Sequence, residues 1–129
     1  YNNIYVKTDV VINSYMPFIK CIQSKACDIS VSASAEKSFS LELFGLKMSF
    51  NADDKILQCL DKSAPLKCET GTVDLRIIFD TLYTEIFADF GTVFMGMTYI
   101  ADSNLNSLRI ESKNATIHNI RVSELNSIH

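Results

Sequence analysis

An all-β, antiparallel fold is predicted by two features of this 129-residue sequence. Apolar and polar residues alternate strictly in run after run, and clusters of turn-forming residues separate the runs. Residues 1–12 read as a strand through Ile4, Val6, Val10 and Ile12, with imperfect alternation. From Ser14 to Lys25 the spacing of Phe18, Cys21 and Ile22 is helical, and Pro17 suits a first helical turn. A short helix or an irregular crossover is expected there. Cys27, Ile29, Val31, Ala33 and Ala35 then alternate with Asp28 and a series of serines, the pattern of a strand with one face in a core. Phe39, Leu41 and Leu43 form the next run, and Leu46, Met48 and Phe50 the one after. Asn51-Ala52-Asp53-Asp54 reads as a turn, since Asx side chains bond local backbone. Glu69-Thr70-Gly71 precedes the run Val73, Leu75, Ile77 and Phe79, and Asp89-Phe90-Gly91 precedes Val93, Met95, Met97 and Tyr99. A polar stretch from Asp102 to Asn106 leads to Leu108 and Ile110, and Ile120 and Val122 close the series. Short runs at roughly 8 to 12-residue spacing point to a sandwich or a barrel.

Composition narrows the function. The mass of 14.5 kDa fits one domain, 1–129, and the hydrophobic content of 47% supports an ordinary core. The net charge of 12 − 15 = −3 argues against a nucleic-acid partner, which needs clustered Lys and Arg. No apolar run approaches the roughly 18 residues of a membrane span. The chain opens on Tyr1 with no leader pattern after it, and is read as a piece of something longer.

Candidate chemistry is sparse. Cys21, Cys27, Cys59 and Cys68 form no Cys-x-x-Cys pair, and His118 and His129 lie far from all of them, so no metal is expected. Reduced structural thiols are favoured over disulfides, because Cys27 and Cys59 sit in apolar runs. No nucleophile motif and no phosphate-binding glycine loop occurs, hence no catalytic residue and no cofactor is expected. Asp53-Asp54 reads as a solvated turn, with too few oxygen ligands nearby for calcium. Asn114-Ala115-Thr116 fits the glycosylation acceptor pattern. The aromatic runs place most phenylalanines, including Phe87 and Phe94, in the core. Tyr83 and Phe90 fall at reversals and are expected outside it.

The stretch Val73 to Gly91 carries the most information. It reads as two strands around a reversal near Thr81 to Thr84. A register that sets Asp80 opposite Glu85 also sets Arg76 opposite Asp89. Asp80 and Glu85 then share a face, where like charges repel unless a cation or a ligand lies between them.

Leu75-Arg76-Ile77-Ile78-Phe79-Asp80 followed by Glu85-Ile86-Phe87-Ala88-Asp89-Phe90-Gly91 resembles a hairpin of the C-terminal β-sandwich of glycoside hydrolase family 32, the invertases, levanases and inulinases. Leu46 to Phe50, Ile56 to Leu60 and Ala64-Pro65-Leu66 resemble the preceding strands of that domain. Val122-Ser123-Glu124-Leu125-Asn126-Ser127-Ile128 is similar to its closing strand. In place of the family's Arg and Ser-rich turn this chain has Thr81 and Leu82-Tyr83-Thr84. The resemblance implies a two-sheet, lectin-like β-sandwich. It implies a non-catalytic accessory domain that stabilises a five-bladed catalytic propeller or mediates oligomer contacts. The propeller's Arg-Asp-Pro and Glu-Cys motifs are absent from this sequence.

The related fructan-binding modules, carbohydrate-binding module family 66, imply a second role. There Asp80, Glu85, Arg76 and Tyr83 would hold fructan or fructose. An unrelated adhesion sandwich is the third reading. Extracellular or periplasmic placement is slightly favoured, since many fructan-degrading relatives are secreted.

Overall fold

The computed structural model describes residues 3–80, 82–102 and 104–125; Thr81 and the closing Ser127-Ile128 lie outside them. Two six-stranded sheets pack face to face. The first holds β1 (Asn3–Asn13), β3 (Cys27–Ala35), β8 (Val73–Phe79), β9 (Tyr83–Ala88), β10 (Val93–Thr98) and β12 (Asn114–Glu124). Its strand order is β1-β12-β3-β8-β9-β10. The second holds β2 (Phe18–Cys21), β4 (Ser38–Leu43), β5 (Leu46–Asn51), β6 (Ile56–Cys59), β7 (Lys62–Pro65) and β11 (Ser107–Glu111). Its order is β2-β11-β4-β5-β6-β7. All strand pairs are antiparallel, so the predicted two-sheet, lectin-like sandwich is the fold.

Alternation in the sequence becomes burial in the fold. In β3, Cys27, Ile29, Val31 and Ala33 are buried while Asp28, Ser30 and Ser32 turn outward. Leu75, Ile77 and Phe79 of β8 do the same, and Leu41, Leu43, Leu46 and Met48 meet them from the second sheet. Each such side chain contributes about 1.5–3 kcal/mol on full burial. The β4–β5 hairpin turns on Phe44 and Gly45, both with positive φ (51° and 89°). Such a two-residue turn matches the twist of the strands it joins. Phe44 is a costly residue in that conformation. Its ring offsets the cost by complete burial, edge-on to Phe79 at 5.1 Å between centroids, with the Lys25 ammonium 4.0 Å from its centre.

Of the two alternatives between Ser14 and Lys25, the helix is absent and a short strand followed by an irregular crossover takes its place. Asn13 Oδ1 accepts hydrogen bonds from the amides of Tyr15 and Met16, at 2.9 and 3.1 Å, and this turn feeds β2. Phe18 and Ile22 are buried. Their separation of four fits a helix face and equally every second residue of a strand; pairing with β11 chooses the strand. An irregular crossover, residues 22–26, then carries the chain to the other sheet. Imperfect alternation in β1 also has a cause. Asp9 has a φ of 56°, and the register of β12 against β3 shifts between Ile117 and Asn119. The bulge turns the strand's inward positions from odd to even residues.

All four cysteines are free thiols. Burial pushes the Cys27 thiol up to about 12, with the carboxylates of Glu124 and Asp28 adding to the effect. Burial pushes Cys59 up to about 11.

Candidate functional site

Hairpin β8–β9 is tighter than the reading that set Asp80 against Glu85. The observed pairs are Ile78 with Glu85 and Phe79 with Thr84, and the Asp80 amide donates to the Tyr83 carbonyl at 2.9 Å. Arg76 therefore lies opposite Phe87, not Asp89. The slip is two residues, so every side chain keeps the face that alternation assigned it. Asp80 and Glu85 still share the outer face of the first sheet but are not directly opposed.

Arg76 is committed elsewhere. Its Nε and Nη2 donate to the two oxygens of Asp28 at 3.1 and 2.7 Å across the β3–β8 pair. This is a two-pronged, charge-assisted contact between neighbouring strands. Arg76 thus stands apart from Asp80, four residues and roughly 13 Å further along the strand.

Tyr83 and Glu85 do come together, beside two phenylalanines whose aromatic character assigned them to the core. Phe87 is half-buried and Phe94 exposed, both on the outer face, with ring centroids 5.2 Å apart. Alternation separates two faces of a strand without saying which of them is inside, and β10 is an edge strand whose inner positions go to Met95 and Met97. Across from Glu85 lies Gly96. The Tyr83 ring lies over that glycine: an added Cβ would stand 2.2 Å from the tyrosine hydroxyl. Glu85 is half-buried, flanked along its strand by Tyr83 and Phe87 and across it by Ile78 and Gly96.

The outer faces of the two sheets differ in chemistry. On the first, Val6, Arg121, Ser30, Arg76, Phe87 and Phe94 run in register across all six strands. Beside them run Ile4, Ser123, Asp28, Ile78, Glu85 and Gly96. On the second, Glu111, Ser40, Ser49, Gln58 and Ser63 form a wholly polar row. Its neighbour is Ile19, Arg109, Glu42 and Lys47. Three aromatic rings stand on the first outer face; among the described residues the second has none.

Three carboxylates outside the expected set turn out to organise this domain. Asp28 holds Arg76. Glu124, 8% exposed, accepts hydrogen bonds from the amides of Gln23 and Ser24 at 2.7 and 2.9 Å, pinning the crossover to the end of β12. Asp89 accepts from the amides of Lys67 and Cys68, at 2.5 and 3.4 Å. The charged positions of the sequence motifs are largely ties between distant segments. No local pattern reveals such ties. The opposite charges at outward positions of β3 and β8 were the single available signal. Among the described residues no cluster of His, Cys, Asp and Glu could hold a metal ion.

No protein-family model matches the chain, and a search of curated proteins found no match in sequence. Solved structures match its fold. The fructofuranosidase from Schwanniomyces occidentalis complexed with fructose superposes with a TM-score of 0.76 at 14% identity, over 98% of this chain and 34% of that one. The exo-inulinase from Aspergillus awamori gives 0.72 at 15% identity, over 98% and 29%. The galectin LEC-6 from Caenorhabditis elegans gives 0.62 at 14% identity, over 96% and 98%. The chain thus has the fold of the sandwich domain of glycoside hydrolase family 32 enzymes, and spans about a third of the length of those enzymes.

Proposed function

We propose that the chain is a non-catalytic accessory sandwich of a fructan- or sucrose-cleaving glycoside hydrolase, which packs on the enzyme's five-bladed catalytic propeller and stabilises it. The carrying observation is the asymmetry of the two outer faces. Protein interfaces are enriched in aromatic residues and arginine and depleted in lysine, glutamate and serine. The first outer face carries three aromatic rings and two arginines, set among serines; the second, among the described residues, has none of the rings and is mostly serine and charged side chains. Fold supports the same reading, since the sandwich in the fructofuranosidase is one part of a longer catalytic chain. Glycoside hydrolysis uses two positioned carboxylates, an acid and a nucleophile or base. Here Asp28 and Glu124 are taken up by strand ties, and Asp80 and Glu85 lie on an open sheet face. Co-expression with the propeller of the same enzyme tests the reading. A stable complex lost on Phe94→Ala and Phe87→Ala supports it, and two species that never co-elute overturn it.

A second reading, fructan binding, draws on one observation. The hydroxyl end of Tyr83 reaches over Gly96 beside Glu85, an aromatic side chain next to a hydrogen-bond acceptor. Asp80 lies on the same face, while Arg76 is held by Asp28 further along the strand. Calorimetry with levan, inulin and fructose tests it: heat abolished by Tyr83→Ala supports binding here, and no heat with any of the three removes it.

A further inference from the structure

At the middle of the first outer face, one strand from the aromatic pair, Asp28, Ser30, Arg76, Arg121 and Ser123 line a groove of about 360 Å³. We infer that this groove receives an acidic side chain of the domain docked on this face, an inference that rests on the docking reading above. Arg121, Ser30 and Arg76 are consecutive in one cross-strand row, so the two arginines flank the serine about 4.8 Å away on either side. Asp28 and Ser123 are adjacent in the next row.

The charge inside the groove is +2 from the arginines and −1 from Asp28, a sum of +1, opposite in sign to the chain's net −3. Both oxygens of Asp28 already take an N–H from Arg76. Arg121 meets no carboxylate among the described residues. Its Nε reaches only the Ser123 hydroxyl, at 3.4 Å, and Ser123 is itself 6% exposed. The groove therefore holds a guanidinium that no carboxylate among the described residues pairs with, over a floor of serine hydroxyls. Its chemistry answers a carboxylate and gives a neutral sugar no comparable advantage.

The surroundings point to a protein surface as the source. The row through the groove ends on Val6 at one edge and on Phe87 and Phe94 at the other. Five strand spacings make this about 24 Å, the width of an interface burying about 800 Å² per partner. A charged centre between apolar flanks is desolvated once the flanks are covered, and an arginine left there without an anion would destabilise the complex. The docked domain must then bring the anion.

The test uses the full chain and its separately produced propeller, with Kd measured by calorimetry at low and at moderate salt. Arg121→Glu should weaken the complex tenfold or more, about the effect of reversing a charge at a close pair. Arg121→Lys should recover most of the affinity, and Arg121→Gln should flatten the salt dependence. Circular dichroism melts keep the comparison to folded variants, and Arg121 is exposed, so its replacement leaves the core intact. If Phe94→Ala weakens the complex and Arg121→Glu does not, the groove inference is overturned and docking on this face stands. A complex indifferent to both variants places the contact on another face and overturns both. If the parent chain forms no complex, the docking reading fails and this inference with it.

Discussion

Removing the Glu124 carboxylate should loosen the crossover between the two sheets. One of its oxygens accepts both the Gln23 and the Ser24 amide, and Leu125 beside it donates to the Ala26 carbonyl at 2.9 Å. A hydrogen bond to a charged group contributes about 1.5–3 kcal/mol. Both amides are part-buried, so water recovers some of the loss in Glu124→Ala, and the lower bound of about 1.5 applies to each. The expected cost is about 3 kcal/mol. At about 4 °C per kcal/mol for a domain of this size, Tm should fall by roughly 12 °C. Glu124→Gln keeps an acceptor oxygen and should lose only about 1 kcal/mol. Urea and thermal melts at pH 7 measure the global effect, and amide exchange at Gln23 and Ser24 reads the local one. An alanine variant within about 1 kcal/mol of the parent, or unchanged protection of those two amides, would refute the tie.

Other expectations follow from burial and close contact. The Thr84 hydroxyl is fully buried and finds no hydrogen-bond partner among the described residues, so Thr84→Val should stabilise the domain by about 1 kcal/mol; a loss in urea melts would show an unseen partner. Native protein treated with iodoacetamide at pH 8 should be modified at Cys21, the exposed thiol, with Cys27, Cys59 and Cys68 labelled only after denaturation. Early labelling of Cys27 would contradict its burial. The Cys27 and Cys59 thiols stay protonated in the fold up to about 12 and 11, above the ordinary 9.0. Their contribution is complete below pH 9 and is lost as pH rises toward those values. Stability should fall by about 1 kcal/mol for each thiol from pH 9 to 10, and a flat profile there would count against it. Gly96→Ala should push the Tyr83 ring off the sheet and cost about 1 kcal/mol, with a change in tyrosine emission; unchanged emission and stability would mean that the ring does not rest there.

Much of the architecture is legible in the sequence because period-two alternation is a local signal. Strand β3 runs from Cys27 to Ala35, as alternation implies, and the turns at Asn51 and Asp89 fall where Asx and glycine residues put them. What alternation leaves open is any even shift in register and the choice of inner face. The β8–β9 hairpin illustrates the first, closing at Asp80 and Tyr83 two residues tighter than a loop placing Asp80 against Glu85. Phe87 and Phe94 illustrate the second, since aromatic content alone assigns them to the core. The ties of Glu124 and Asp89 join segments about a hundred and about twenty residues apart, and no spacing rule reaches that far. Of the expected site, Tyr83 and Glu85 meet as neighbours on one face, while Arg76 is held by an aspartate that reads in sequence as one polar residue in an alternating run.

Strand β12 has a consequence for how the molecule is made. It lies between β1 and β3, and β1 has no other strand partner. The strand that joins β1 to the rest of the first sheet is therefore the last of its strands to be synthesised. Until Asn114 to Glu124 emerges, β1 has no strand to pair with, and one long edge of β3 stays open. Pairing across more than a hundred residues is slow to form. The first sheet can then close only after its final strand has been made, and its open strand edges are exposed to aggregation until that strand arrives.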